Sequence, residues 1–390
     1  MKRIGYVILG IGLLLCLGTV YSYSVFRKPI EETFRVGATL SGLPYMLALF
    51  FYALFMPLGG RLLRRLSPRV VALLGSVATS TGWIGAGLSR SYLGLVLFYG
   101  VLCGAGVGIA YGVPLAVSVS WFPENPGLAL GSTVVGFGLS PLVTAPLARR
   151  FVEMAGPLFA FRVLGWVFLA ATVPISLLLR FHESKSTGFQ NTAPSPRTNL
   201  LRQGKFWALW TSFFIGTFID LSAISITGPI AQETIGLPYQ TAALSVSIFA
   251  VFNGVGRPLF GYLVDRKGFK RGAFVSYSSV ALASLLFFAY PHSVTYALAF
   301  AVLWMNLGAW LAMAPTTTYA LFGPETYAQN YGVVFTAYGV GALAGTFVSG
   351  VLRDLTGSYL GLFPFNALLA GIGIGIVSIL EHLSRREEGP

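Results

Sequence analysis

Apolar runs long enough to cross a lipid bilayer follow one another along almost the whole chain, and that succession limits the fold more than any motif does. A hydrocarbon core of about 30 Å takes about 20 apolar residues in a helix, whose backbone polar groups must be satisfied within the helix itself. Twelve such runs are predicted, at 5–26, 39–60, 70–89, 93–120, 128–148, 158–180, 205–229, 240–263, 272–290, 294–322, 331–352 and 360–381. With 55% of its residues hydrophobic and 10% charged, the chain has too little polar surface to coat a soluble domain of 390 residues. The expected class is an all-α membrane protein of twelve transmembrane helices, with lipid as its solvent.

The net charge of +13 raises the question of nucleic acid, and the placement of the 26 Lys and Arg residues answers it. They lie between the apolar runs. With the amino terminus inside, cytoplasmic segments hold 17 of them and outer segments 8, while Arg257 alone falls within a run. This positive-inside bias predicts both termini in the cytoplasm and excludes a nucleic-acid surface. Lys2 and Arg3 ahead of the first run resemble a secretory signal, but no small-x-small cleavage site follows, so the run is expected to stay as the first span. Cys16 and Cys103 occupy different runs, which argues against a disulfide framework, and neither a metal nor a cofactor is expected.

Shifted by 201 residues, the sequence matches itself. Pro57, Leu58, Gly60, Leu62 and Arg65 meet Pro258, Leu259, Gly261, Leu263 and Arg266, and the same offset later aligns Pro114 with Pro315 and Gly138 with Gly339. One offset held over more than 80 residues implies duplication. The expected organisation is a six-helix half over 1–180, a cytoplasmic linker over 181–204, and a second six-helix half over 205–390. Parallel repeats of this kind belong to alternating-access carriers with a site at the membrane midplane. The segments GGRLLRRLSPR (59–69) and GYLVDRKGFKR (261–271) resemble the signature loops of the major facilitator superfamily, and the likeness extends over nearly the whole chain. Arg64 stands where that family usually has Asp, whereas the second loop keeps Asp265. The resemblance therefore implies a cytoplasmic gate clamp at Asp265 with Arg266 and Arg271.

Charges inside a span cost about 2.5 to 3.5 kcal/mol each on insertion scales, so those retained are site candidates. Two stand out, Asp220 and Arg257. Arg257 lies in NGVGRPLFG with Asn253 one turn earlier on the same helix face, and its repeat equivalent is Met56. A guanidinium binds both oxygens of a carboxylate and keeps its charge when desolvated. Two readings fit: an anchor for a small carboxylate anion, or an arginine snorkelling to the cytoplasmic surface and serving the gate. Gly254, Gly256 and Pro258 are candidates to break or kink this span.

The segments YSYSVFRKPIEETF (21–34), NGVGRPLFG (253–261), NYGVVFTAYGVGALAG (330–345) and RDLTGSY (353–359) together resemble the oxalate:formate antiporter family and, more distantly, the monocarboxylate transporter family. The resemblance implies that Arg257 binds the substrate carboxylate. Oxalate carriers of that family have a lysine where this chain has Tyr338, so the second cation for a second carboxylate is missing. Two negative charges facing one arginine would leave one uncompensated in a low-dielectric site, which favours a monocarboxylate. Tyr338 is a candidate hydrogen-bond donor to the anion or a packing residue, since its repeat equivalent is Phe137.

Asp220, in FFIGTFIDLSAIS, has Thr19 as its repeat equivalent. A carboxyl held out of water can take up and release a proton near neutral pH, which makes it the candidate proton carrier. Ionised Asp220 would balance Arg257 in the empty carrier, and protonated Asp220 would give way to the anion. Residue counting places Asp220 about 22 Å and Arg257 about 12 Å from the inner surface, so a direct pair requires helix distortion or bridging water. Tyr111 and Tyr319 fall in the fourth and tenth spans, where a hydroxyl lines a cavity or a ring packs. Arg27 and Lys28, at the outer end of the first span, either attract anions or anchor the helix.

A receptor would carry a soluble output domain and an intramembrane enzyme would gather a nucleophile and base at one depth; neither pattern is present. The expectation is a non-enzymatic secondary transporter of the cytoplasmic membrane, acting as a monomer and moving a lactate-like monocarboxylate with a proton. Organic anion exchange of the oxalate:formate type is the alternative, followed by a non-transporting receptor.

Overall fold

The structure is a computed structural model that describes residues 3–122, 126–182, 200–323 and 327–387. It is all-helical among these residues. Among the described residues, eleven stretches are long and apolar enough to cross a membrane, and one of them, Ala129–Leu178, is 50 residues long. At 1.5 Å per residue it would reach about 75 Å, more than twice a bilayer core. It is interrupted at Ala155 (φ −155°, ψ 25°) and Gly156 (φ 84°, ψ 175°). The positive φ at Gly156 suits a residue with no Cβ, and the stretch divides there into two passes, giving twelve in all.

The passes are numbered α1 (Ile4–Val25), α2 (Ala38–Leu63), α3 (Pro68–Leu88), α4 (Tyr92–Trp121), α5 (126–154), α6 (157–178), α7 (Gly204–Glu233), α8 (Tyr239–Lys267), α9 (Phe269–Ala289), α10 (Ser293–Phe322), α11 (Asn330–Thr356) and α12 (Leu362–Glu387). The ends carry ordinary helix signals. Ser67 accepts a hydrogen bond from Val70 N ahead of Pro68 at the first turn of α3, and His292 forms a capping box with Thr295 at the start of α10. Three passes are less regular than the apolar pattern predicts: α1 tightens to a 3₁₀ helix over Gly18–Val25, α4 widens to a π-helix over Val96–Cys103, and helix is interrupted at Phe335 in α11.

The chain divides into two compact units, Met1–Ala193 and Pro194–Pro390. Most of the expected linker, residues 183–199, lies outside the described residues. In the N-terminal unit α2 packs on α4, α1 meets α5 where Gly18 lies against Phe137 and Ser140, and α3 meets α6 where Gly165 lies against Ile84. In the C-terminal unit the main pairings are α8 with α10, α7 with α11 and α9 with α12. Each unit therefore joins its first, second and third helices to its fifth, fourth and sixth.

Candidate functional site

Three charged side chains are buried among the described residues: Arg27, Asp220 and Arg257. Burying a charge without a partner is costly, so each needs an account.

Arg27 belongs to the fold of the N-terminal unit. It follows the 3₁₀ end of α1, and its guanidinium donates to Ser41 Oγ at 3.2 Å and to the carbonyl of Ala38 at the start of α2. Ser41 Oγ in turn donates to Glu31 Oε1 at 2.7 Å, and Glu31 pairs with Lys28 at 3.0 Å. Of the two readings of Arg27, these contacts favour the anchor, as a buried brace between α1 and α2.

Arg257 is 7% exposed and lies on α8. Its Nη2 donates to Asn253 Oδ1 at 3.3 Å, as their spacing of one turn predicts. Asn253 is fully buried, and its Nδ2 has no hydrogen-bond partner among the described residues. The expected break in this span is absent, since α8 is a single helix from Tyr239 to Lys267 with Pro258 inside it. The glycines serve packing instead. A Cβ at Gly256 would collide with the carbonyl oxygen of Met305 on α10, and one at Gly308 on α10 would collide with that of Asn253 and lie 3.2 Å from Arg257 N. This close approach holds the segment carrying Arg257 against α10.

The N-terminal unit has a similar joint, whose glycine lies one residue out of the 201-residue register. A Cβ at Gly108 on α4 would lie 2.5 Å from Tyr52 O and 3.0 Å from Met56 N on α2. Tyr52 and Met56 are the repeat equivalents of Asn253 and Arg257. One backbone joint thus carries a tyrosine and a methionine in one unit, an asparagine and an arginine in the other. We expect Gly308→Val to separate α8 from α10, at a cost of about 1 to 3 kcal/mol for overpacking. A lowered melting temperature together with reduced substrate affinity checks this.

Asp220 is 1% exposed, and its Oδ2 has no hydrogen-bond partner among the described residues. It sits on the α7 face that meets α10, between Gly216, which lies against the Trp310 indole, and Thr227, which accepts from Trp304 Nε1 at 3.1 Å. On α10, Asn306 Oδ1 is another buried oxygen with no hydrogen-bond partner among the described residues.

Both charged residues lie beside contacts with α10. The α8 backbone at Arg257 lies level with Gly308, and the α7 backbone at Gly216 lies level with the Trp310 ring. Asp220 is one turn from Gly216, about 6 Å toward the end away from the basic loops. The arginine side chain reaches the same way, toward Asn253 and its helix amino terminus. Both charged groups therefore lie on the side of their α10 contacts away from the basic loops. No ion pair joins them among the described residues, and a direct pair is expected only with helix distortion or bridging water.

The other candidates are scattered. The Tyr338 ring is fully buried and stacks on Phe335 at 4.9 Å, and Phe335 continues through Phe213 of α7 to Trp310 of α10 at 6.2 Å per step. Its repeat equivalent Phe137 sits in a similar cluster, with Tyr111 and Tyr52 at 5.2 and 5.8 Å and Tyr21 at 5.3 Å. Tyr111 thus lies in an aromatic cluster of the N-terminal unit, whereas Tyr319 is 53% exposed near the C-terminal end of α10. Asp265, Arg266 and Arg271 are exposed, Asp265 has no ion pair among the described residues, and Arg266 lies over the Tyr262 ring at 5.3 Å.

Comparison with known proteins agrees with this architecture. The sequence profile of the Major Facilitator Superfamily matches residues 8–346. The chain is similar to the oxalate:formate antiporter of Oxalobacter formigenes, 29% identical over 347 residues that cover 87% of this chain and 82% of that protein. It is also similar to monocarboxylate transporter 12 of Mus musculus, 26% identical over 368 residues covering 85% and 76%. Its fold matches a crystal structure of a bacterial homologue of the human lysosomal transporter Spinster, with a TM-score of 0.69 at 17% identity and coverage of 98% and 96%. With its twelve passes and a family match spanning most of its length, this chain is an integral membrane transporter of the major facilitator superfamily.

Proposed function

We propose that this protein carries a small, lactate-like monocarboxylate across the cytoplasmic membrane together with a proton, by alternating access, as a monomer with both termini in the cytoplasm. The observation that carries the reading is Arg257: a buried guanidinium, held with Asn253 at the helix joint where the second unit departs from the first. Within this reading the guanidinium takes both carboxylate oxygens and the Asn253 amide adds a donor. Tyr338, Tyr111 and Tyr319 are assigned to the substrate site, and Asp265 with Arg266 and Arg271 to the cytoplasmic gate. Asp220 is assigned the proton. A neutral acid on that carboxyl and one carboxylate on Arg257 make a loaded carrier with no uncompensated buried charge.

The names of the related proteins support a small organic anion, and that of the Oxalobacter protein favours anion exchange as the second reading. Uptake of labelled lactate, formate, acetate and oxalate into proteoliposomes separates the two. Symport predicts lactate accumulation of about tenfold per unit of imposed pH gradient and little oxalate uptake, because one pH unit corresponds to about 1.4 kcal/mol. Uptake driven by internal anion and indifferent to the pH gradient would favour exchange. Transport of none of the four overturns the carboxylate reading.

A further inference from the structure

A cavity of about 1000 Å³ lies at the basic end of the C-terminal unit, among the ends of α8, α10 and α12 and the start of α9. Its rim carries Lys267, Lys270 and Arg271, all exposed. Behind them the lining is apolar, with Phe274 and Leu321 above and Val377 and Leu380 buried at the floor. Thr317 also lines it, 5% exposed, with a hydroxyl that has no hydrogen-bond partner among the described residues. The start of α9 adds to this. No side chain caps it and its first turn has no acidic residue, so Lys270 and Arg271 stand at the positive end of the helix dipole. An uncapped helix amino terminus attracts an anion.

We infer that this cavity binds an anionic phospholipid. The phosphodiester lies against Lys267, Lys270, Arg271 and the α9 amino terminus, the Thr317 hydroxyl donates to a glycerol-ester oxygen, and an acyl chain fills the apolar floor. Three cations above an apolar interior match a lipid that is charged at one end and hydrocarbon at the other. A free phosphate compound would leave the floor empty, and a zwitterionic lipid would bring its own cation against the rim. The assignment is independent of the transported substrate.

The purified full-length protein in dodecylmaltoside is equilibrated with tritiated dioleoylphosphatidylglycerol or dioleoylphosphatidylcholine, and the lipid retained after gel filtration is counted. About one phosphatidylglycerol per chain is expected, with a preference of about tenfold over phosphatidylcholine that weakens as salt is raised. Lys267→Gln/Lys270→Gln/Arg271→Gln should lower that preference at least about fivefold, while Arg61→Gln/Arg64→Gln/Arg65→Gln, in the basic loop of the other unit, should leave it unchanged. Leu321→Trp, which narrows the apolar part of the cavity and keeps every charge, should also reduce retention. Lys267→Arg/Lys270→Arg should preserve it, which distinguishes lost binding from a misfolded rim. Equal retention of both lipids, loss of preference in the control triple variant, or full competition by millimolar inorganic phosphate overturns the inference.

Discussion

Arg257→Ala is expected to lower carboxylate uptake at least about 100-fold, with Arg257→Lys restoring only part of it. Removing one partner of a buried charge pair costs about 3 to 5 kcal/mol, because the other charge is left desolvated and unpaired, and 1.4 kcal/mol is a factor of ten. Lysine brings the charge back but as a point, without the planar fork that spans two oxygens, and with a stronger hold on its own hydration. A folding defect is separable from this effect. The backbone approach of Asn253 to Gly308 does not involve the guanidinium, so the alanine variant keeps the α8–α10 joint. It should purify in normal yield and lose only the rise in melting temperature that lactate gives the wild type. Uptake within about threefold of wild type would remove Arg257 from the substrate site, since that ratio is under 1 kcal/mol.

The twelve passes were legible because lipid demands long apolar runs, and even the break at Ala155–Gly156 falls between two predicted runs, beside Arg149, Arg150 and Glu153. The duplication was legible too, and the joint of Gly108 with Tyr52 and Met56 against that of Gly308 with Asn253 and Arg257 gives it a physical form. Local packing was not, since nothing in the sequence pairs Gly216 of α7 with Trp310 or Gly256 of α8 with Met305. The burial of Arg27 was also hidden, because its acceptors are a backbone carbonyl and a hydroxyl of the next helix, 11 and 14 residues on, and such partners leave no charge pattern. In NGVGRPLFG the glycine signal was real, but Gly256 serves helix contact and the helix is unbroken. A glycine that lets helices touch and one that breaks a helix look alike until the neighbouring backbone is known.

Asp220→Asn is expected to abolish accumulation driven by a pH gradient while leaving exchange of labelled for unlabelled lactate within about threefold of wild type. The amide has the shape of the neutral acid and cannot ionise, so the variant is fixed in the state that the proposal assigns to the loaded carrier. Folding should tolerate it, because Asp220 has no ion pair to lose and its Oδ2 no hydrogen bond to lose among the described residues. In the wild type, lowering the outer pH by one unit should raise lactate accumulation about tenfold, and in the variant that slope should be flat. The double variant Arg257→Ala/Asp220→Asn tests the coupling. If the carboxyl must release a proton only because the anion comes and goes at Arg257, the second substitution should add little to the loss caused by the first. A wild-type pH slope in Asp220→Asn would assign the proton elsewhere and leave Asp220 as a structural polar group on the face of α7 that meets α10.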